Sequence, residues 1–318
     1  MRQRWALLSF VACVASTPAA GAEQFPSRPI AIVMGMSAGG IADVTTRLYS
    51  EIVSKELGQP IRIENRPTEA GATAAVAVQN AAPDGYTLLV FSGAQHAAIP
   101  AMQSAGYEPV KGFAPVTTLF TMVNFLAVPN ASPADSVAEL LRLGREKPGG
   151  LAFGSSGVGS TSHLTAARMA LSTGTPIRPV HYAGAAPMIA DLVAGRLDFA
   201  LVSSTVAMPF AIERKLKLLA VDAALRWPDL PSLPTLREAG IDQPKVASWF
   251  ALAAPMGTPE PVIERLHDAF AKAARDPTLL KGLRDNGALL TTSTPEETAS
   301  MMAEETRETA ALLNTRAP

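Results

Sequence analysis

The stretch Ile30–Leu57, IAIVMGMSAGGIADVTTRLYSEIVSKEL, decides how the chain is read. Ile30 to Met34 is an apolar, largely β-branched run, which suits a strand buried on both faces. Ile41, Val44, Leu48 and Ile52 recur at helical spacing, so a helix starts just after the glycines. Gly39 and Gly40 can take positive φ and let a ligand approach the backbone. The N–H groups of the helix's first turn have no partner within the helix, and with the helix dipole they favour an anion.

A second stretch repeats this grammar. Leu151–Ser162 reads LAFGSSGVGSTS and leads into another helix. Its hydroxyls, Ser155, Ser156, Ser160, Thr161 and Ser162, converge with open N–H groups. It is neither a P-loop nor a dinucleotide fingerprint, because the Lys-Ser/Thr and the third glycine are missing. Two such turns facing each other would clamp a small carboxylate.

Between and after these turns, strands alternate with helices, which predicts parallel sheets with helices on both faces. Ile61–Glu64 and Tyr86–Phe91 read as strands, with a helix over 72–81 between them. Residues 109–115 read as loop. Val116–Val128 is an apolar, β-rich run where the chain would cross into a second unit, and residues 125–245 form a second βαβαβ unit. Val246–Ala253 is a strand that could return to the first. Ser136-x-x-Glu139 and Thr294-Pro-Glu-Glu297 are capping signals, and Thr258 before Pro259 reads as another helix start. The domain plan is 23–124 with 246–318, and 125–245 inserted between them.

The bulk numbers exclude several classes. A chain of 318 residues, 48% apolar and 17% charged, is globular rather than disordered. A net charge of −1 argues against nucleic acid as a partner. Arg2 and Arg4, the apolar run Trp5–Ala15 and Ala20-Gly-Ala22 read as a secretion signal over residues 1–22, cleaved before Glu23. Cys13 is the only cysteine. Its surroundings match a lipidation site poorly, and the mature chain can hold neither a disulfide nor a cysteine metal site. His96, His163, His181 and His267 lack metal-ligand spacing, so no metal or other cofactor is expected.

Gly35-Met-Ser37-Ala-Gly39 matches the nucleophile elbow G-x-S-x-G. In an α/β-hydrolase, however, other strands precede the elbow and one intervening loop supplies half the oxyanion hole. Here the motif follows the first strand, and no histidine carries a supporting signature. Ser37 therefore reads as a polar residue of a binding turn. Asp43, in the first helical turn, reads as a stabiliser of the positive helix end. Binding turns without catalytic apparatus describe a receptor, not an enzyme.

Phe25-Pro-Ser-Arg-Pro-Ile30, Ala38-Gly-Gly40 with Asp43, Glu64-Asn-Arg-Pro67, Ala82-Pro-Asp-Gly-Tyr-Thr-Leu88, Gly154-Ser-Ser-Gly157, His181-Tyr-Ala-Gly-Ala-Ala-Pro187, and Ser248-Trp249 with Ala254-Pro-Met-Gly-Thr-Pro259 occur in this order. The set resembles the Bug family of periplasmic solute-binding proteins, receptors of tripartite tricarboxylate transporters. The resemblance implies a type II Venus-flytrap fold, two α/β domains with mixed, largely parallel sheets flanked by helices. It implies a small carboxylate held in the cleft, delivery to membrane permease subunits, and a periplasmic location. Carried onto this chain, the first turn is Ser37, Ala38, Gly39, Gly40 and Ile41. The second is Ser155, Ser156, Gly157, Ser160, Thr161 and Ser162. Ser92, Gly93 and Ala94 line the same cleft, and Tyr182, Ser203 and Ser204 face the far end of the ligand.

Departures from the family pattern shape the expected ligand. The first turn lacks the usual prolines and phenylalanine, and Gly112 stands where the family has an aspartate. Val202-Ser203 replaces a common Asp-Asn pair, which removes a carboxylate that could meet an amino group. The expected ligand therefore has no cationic end. A ligand-dependent sensor is the alternative role, a secreted hydrolase using Ser37 a remoter one, and nothing in the sequence demands a dimer.

Overall fold

In the computed structural model the described residues are 25–67, 71–102, 105–155, 161–182, 184–241 and 249–314. The expected secretion signal, with Cys13, lies outside them. The strands form two mixed sheets. One contains β1 (Ile30–Met34), β2 (Ile61–Asn65), β3 (Thr87–Ser92), β4 (Phe113–Met122), β10 (Trp249–Pro255) and β11 (Ala288–Leu290) in the order β11-β4-β10-β3-β1-β2. The other contains β5 (Asn124–Pro129), β6 (Leu151–Ser155), β7 (Ile177–His181), β8 (Phe199–Ser203) and β9 (Leu216–Asp222) in the order β7-β6-β8-β5-β9.

The two sheets share one plan. β1 is parallel to both β2 and β3, and β6 is parallel to both β7 and β8. Each parallel triplet is then flanked by an antiparallel strand, β10 against β3 and β5 against β8. The sheets are therefore mixed rather than parallel throughout, because strands that carry the chain between the sheets enter each one from the opposite end.

The apolar run of β1 is explained by its central place. Ile30, Ile32 and Met34 point to one face, against Tyr49 and Val53 of α1 (Ile41–Leu57) and Leu266 and Phe270 of α8 (Glu260–Ala273). Val33 points to the other, against Ala74, Ala75 and Val78 of α2 (Ala72–Gln79). Ile30, Ile32 and Met34 are fully buried, and each such side chain stabilises the fold by roughly 1.5–3 kcal/mol. The Tyr49 hydroxyl donates to the Leu119 carbonyl at 2.8 Å, so α1 is also pinned to β4 by a buried polar contact. Burial holds that phenol protonated.

Helices complete both units. After β3 a π-helical turn, Ala94–Ala98, runs into α3 (Ile99–Met102). The rest are α4 (Val137–Glu146), α5 (Thr161–Thr173), α6 (Ala185–Val193), α7 (Ser204–Ile212), α9 (Pro277–Asp285) and α10 (Pro295–Asn314). Among the described residues no helix is long and apolar enough to cross a membrane. α10 lies on β4 and the Ala94–Met102 segment, and also reaches α5 of the other unit.

Several expectations need correcting. β4 starts inside the expected loop, because Phe113, Ala114 and Pro115 pair with Pro255, Ala254 and Ala253 of β10. The apolar run 116–128, where a crossing was expected, holds parts of two strands. It splits at Val123, with β4 in one sheet and β5 in the other. The Thr258 hydroxyl donates to the Pro255 carbonyl at 2.8 Å instead of capping, and α8 begins after Pro259. At α10 the capping box is reciprocal, with Glu297 N–H on Thr294 Oγ1 at 3.2 Å and Thr294 N–H on Glu297 Oε2 at 3.0 Å. At α4 Ser136 Oγ accepts from Glu139 N–H at 3.2 Å, but Glu139 takes the N–H of Asp135 instead of Ser136.

Candidate ligand-binding site

The β1–α1 turn is exposed from Ser37 to Gly40, and the α1 residue beneath it, Asp43, is buried. Only Gly39 uses the left-handed region, at φ 78°. Gly40 is extended (φ −72°, ψ 162°) and, as the N-cap, has no side chain to occupy the amides of the first turn. Those of Ile41, Ala42 and Asp43 have no carbonyl one turn earlier to bond. The amides of both glycines are engaged: Gly39 N–H donates to Asp43 Oδ2 at 2.9 Å, and Gly40 N–H to the Ser37 carbonyl at 3.4 Å.

Asp43 does more than offset a helix dipole. Its Oδ1 accepts from Asn65 Nδ2 at 2.9 Å, and its Oδ2 accepts from Arg47 Nε at 3.0 Å as well as from Gly39. Asn65 Nδ2 also reaches the Met36 carbonyl at 3.1 Å, and Arg47 Nη2 reaches Asn65 Oδ1 at 3.1 Å. The end of β2 thus grips both the loop and the helix start. Burial pushes the Asp43 carboxyl up, but the hydrogen bonds from Arg47, Gly39 and Asn65, with the Arg47 charge, outweigh it and hold the group below the usual range. A bare carboxylate there would repel an incoming anion; paired with Arg47 it braces the turn without that penalty.

A second brace lies below. A Cβ on Gly35 would fall 2.3 Å from Gly71 Cα and 2.4 Å from Gln95 Nε2, so the chain at the head of α2 and the Gln95 side chain leave no room there. Gln95 Oε1 accepts from Ser92 N–H at 3.1 Å, which ties the end of β3 to the same junction. A Cβ on Gly93 would sit 2.9 Å from Trp249 Nε1. Trp249 is fully buried, and its indole N–H has no hydrogen-bond partner among the described residues. Ser92 therefore ends β3, and Gly93 follows it against a packed wall. Ala94 opens the π-helical turn.

In the second sheet, Ser155 ends β6 and is fully buried, and Thr161 and Ser162 begin α5. Ser156, Gly157 and Ser160 lie outside the described residues. Tyr182 N–H donates to the Ser155 carbonyl at 2.8 Å, which brings those two residues together. The Tyr182 hydroxyl donates to Asp191 Oδ2 at 2.7 Å, and Asp191 also pairs with Arg196. The His163 and His181 rings meet edge to face, centroids 5.4 Å apart, at the start of α5 and the end of β7. Burial first, and the neighbouring imidazole second, lower the His163 pKa. Ser203 ends β8 beside Asn124. Ser204 is buried, and its hydroxyl donates to the Gly287 carbonyl at 3.2 Å, between α7 and the start of β11.

Among the described residues no hydrogen bond joins Ser37 to a histidine. His96 Nε2 lies 3.0 Å from the Met302 carbonyl, His267 Nδ1 lies 3.2 Å from the Val116 carbonyl, and His163 and His181 belong to the other sheet. Among the described residues no group of three or more His, Cys, Asp or Glu could hold a metal ion. Sequence reasoning missed Arg47, Asn65, Gln95 and Trp249 as parts of the site's frame. Asn65 and Trp249 stood in quoted motifs, and nothing local marked Gln95.

Comparison with known proteins agrees with the fold and shows the family. The sequence profile described as tripartite tricarboxylate transporter family receptor matches residues 45–317. A TctC solute-binding protein from Polaromonas, solved without ligand, is 29% identical, with a TM-score of 0.83 over 91% of this chain and 99% of that one. A Rhodopseudomonas palustris protein solved with adipate is 32% identical, with a TM-score of 0.71 over 92% and 98%. MatC from the same organism, solved with bound malate, is 32% identical, with a TM-score of 0.68 over 91% and 100%. The chain belongs to the tripartite tricarboxylate transporter receptor family, a family of periplasmic solute-binding proteins and not of enzymes.

Proposed function

We propose that this receptor captures a small organic carboxylate in a cleft between a lobe of residues 23–124 and 246–318 and an inserted lobe of residues 125–245, and delivers it to the membrane subunits of a tripartite transporter. The observation that carries the reading is the β1–α1 turn, whose exposed residues Ser37–Gly40 lead into first-turn amides that have no partner within the helix, above a buried, charge-neutralised Asp43. Such a turn offers a fixed, positive surface to one carboxylate head. On this reading Ser37–Ile41 and Ser155–Ser162 grip the head, Ser92–Ala94 wall the cleft, and Tyr182 and Ser203 stand at its far end. Ser204 shapes the crossing between lobes, since its hydroxyl is spent on Gly287.

The ligand class follows from what meets its other end. Position 202 is a buried valine and 203 a serine, so no carboxylate stands there for an ammonium group. A dicarboxylate of the malate or adipate type suits that end better than an acidic amino acid. Ligand capture would close the cleft by a hinge motion that shifts an open–closed equilibrium.

Titration calorimetry and thermal shift against malate, adipate, citrate, aspartate and glutamate test the proposal, since a ligand that binds only the folded form raises the melting temperature. One-to-one binding of a di- or tricarboxylate supports it. Tight binding of the amino acids alone overturns the ligand class, and no response to any acid overturns the function.

A further inference from the structure

Two imidazoles stand at the second ligand turn. His163 lies in the first turn of α5, next to Ser162, and His181 ends β7. β6 and β7 pair in register, so His181 sits directly beside Ser155, the last residue of β6. The Tyr182 N–H on the Ser155 carbonyl ties the same strand ends together. Across this junction the two rings meet edge to face, 5.4 Å between centroids, with His163 half-buried and His181 exposed. Strand end, helix start and histidine pair therefore occupy one place in the fold.

The charges on the neighbouring elements are engaged or turned away. On α5, Arg168 lies about two turns beyond Thr161 and meets Glu305 and Glu308 of α10 at 3.8 and 3.9 Å. On β7, Arg178 is an odd number of residues from His181, so strand alternation puts it on the opposite face. β6 carries no charged residue. Asp191 of α6 is held by Arg196 and by the Tyr182 hydroxyl. Among the described residues His181 is the one charge that acts on His163, and it opposes protonation, as burial does more strongly. The first turn has Arg47 to cancel Asp43; at the second turn only these two rings can change the charge.

An anion at the first-turn amides of α5 would reverse that balance, because it attracts an imidazolium while two imidazoliums in contact repel. The pair is therefore suited to one added proton. We propose that the His163–His181 pair takes up a proton when a carboxylate enters the second turn, so that capture is proton-coupled and tightens as the solution is acidified from pH 8 toward pH 6. The proposal rests on the receptor reading above and adds charge regulation to the same site. Linkage then requires the affinity to rise, as pH falls, in proportion to the protons taken up.

Titration calorimetry with malate and with adipate, run across that pH range in paired buffers of unlike ionisation enthalpy, reads affinity and proton uptake together. Net uptake is expected, with affinity about fivefold or more tighter at the acid end. His163→Gln and His181→Gln should each remove most of the uptake and flatten the pH slope; His181 is exposed, so its variant remains informative if the other folds poorly. His181→Lys carries a fixed charge throughout this range and should bind tightly with no slope. Asp222 supplies the control. Burial lifts its carboxyl to about 7, but β9 is the opposite edge of the sheet from β7, so Asp222→Asn should leave the uptake intact. Binding with equal affinity across the range and no buffer-dependent heat overturns the proton coupling and leaves the receptor reading standing. Uptake that survives both histidine variants, or that Asp222→Asn abolishes, overturns it as well. If neither acid binds, the coupling falls together with the dicarboxylate reading on which it rests.

Discussion

The Asp43 carboxylate and the Asn65 carboxamide meet at 2.9 Å, across 22 residues of sequence. That contact joins the start of α1 to the end of β2, and through the Met36 carbonyl it also holds the ligand turn. Replacing Asn65 with Leu leaves two acceptors short of a donor. Losing a partner to a partly buried charged group costs roughly 1–3 kcal/mol. Asn65→Leu should therefore lower the melting temperature and weaken carboxylate binding together, in denaturation and calorimetry run on one sample. Unchanged affinity would show that the turn does not depend on this brace.

Arg47→Met tests the charge rather than the geometry. Without the guanidinium, Asp43 keeps Gly39 and Asn65 but loses its counter-ion. Its carboxyl should titrate at higher pH by NMR, and carboxylate affinity should fall about tenfold or more near neutral pH. Asp43→Asn in the same background should recover part of that loss, because it removes the repulsion.

Gly35→Ala places a methyl group where Gly71 Cα and Gln95 Nε2 already stand, at 2.3 and 2.4 Å. Backbone on one side leaves little room to yield, so overpacking of about 1–3 kcal/mol is expected. Ligand affinity should drop further than in an equally destabilised variant remote from the turn. Equal drops in the two variants, by calorimetry at matched stability, would count against a positioning role for this junction.

His96 makes the fold sensitive to acid. It is buried between Phe91 and Trp249, and burial lowers its pKa to about 4, against hydrogen bonds that favour the charged ring. An unfolded histidine titrates near 6.5, so above that pH the ring is neutral in both states. As pH falls from 6.5 toward 4 the unfolded chain takes up the proton first, and up to roughly 3 kcal/mol of stability is lost. His96→Gln should flatten that part of the melting-temperature profile, whatever it does to stability at pH 8. An unchanged slope between pH 6.5 and 4.5 would contradict the assignment.

The position of the first turn was legible because local signals agree there: a buried apolar run, two glycines, then a helical period. Its frame was not. Asn65 reaches it from the end of β2 and Gln95 from the π-helical turn after β3, while Trp249 of β10 backs Gly93, and a single sequence does not state which of these elements lie side by side. β11 was invisible for the same reason, since its three residues are a strand only by pairing with β4. Pro115 made the head of β4 read as loop, and pairing with β10 overrides that local bias. By contrast, the Thr294–Glu297 box needs only neighbours in sequence, and it was readable.

The most direct measurement is a crystal structure of the mature receptor with malate or adipate. The account predicts one carboxylate head between the amides at Ser37–Ile41 and the hydroxyls and amides at Ser155–Ser162, with Asp43 still paired to Arg47 beneath it. A head group seated away from both turns would contradict it.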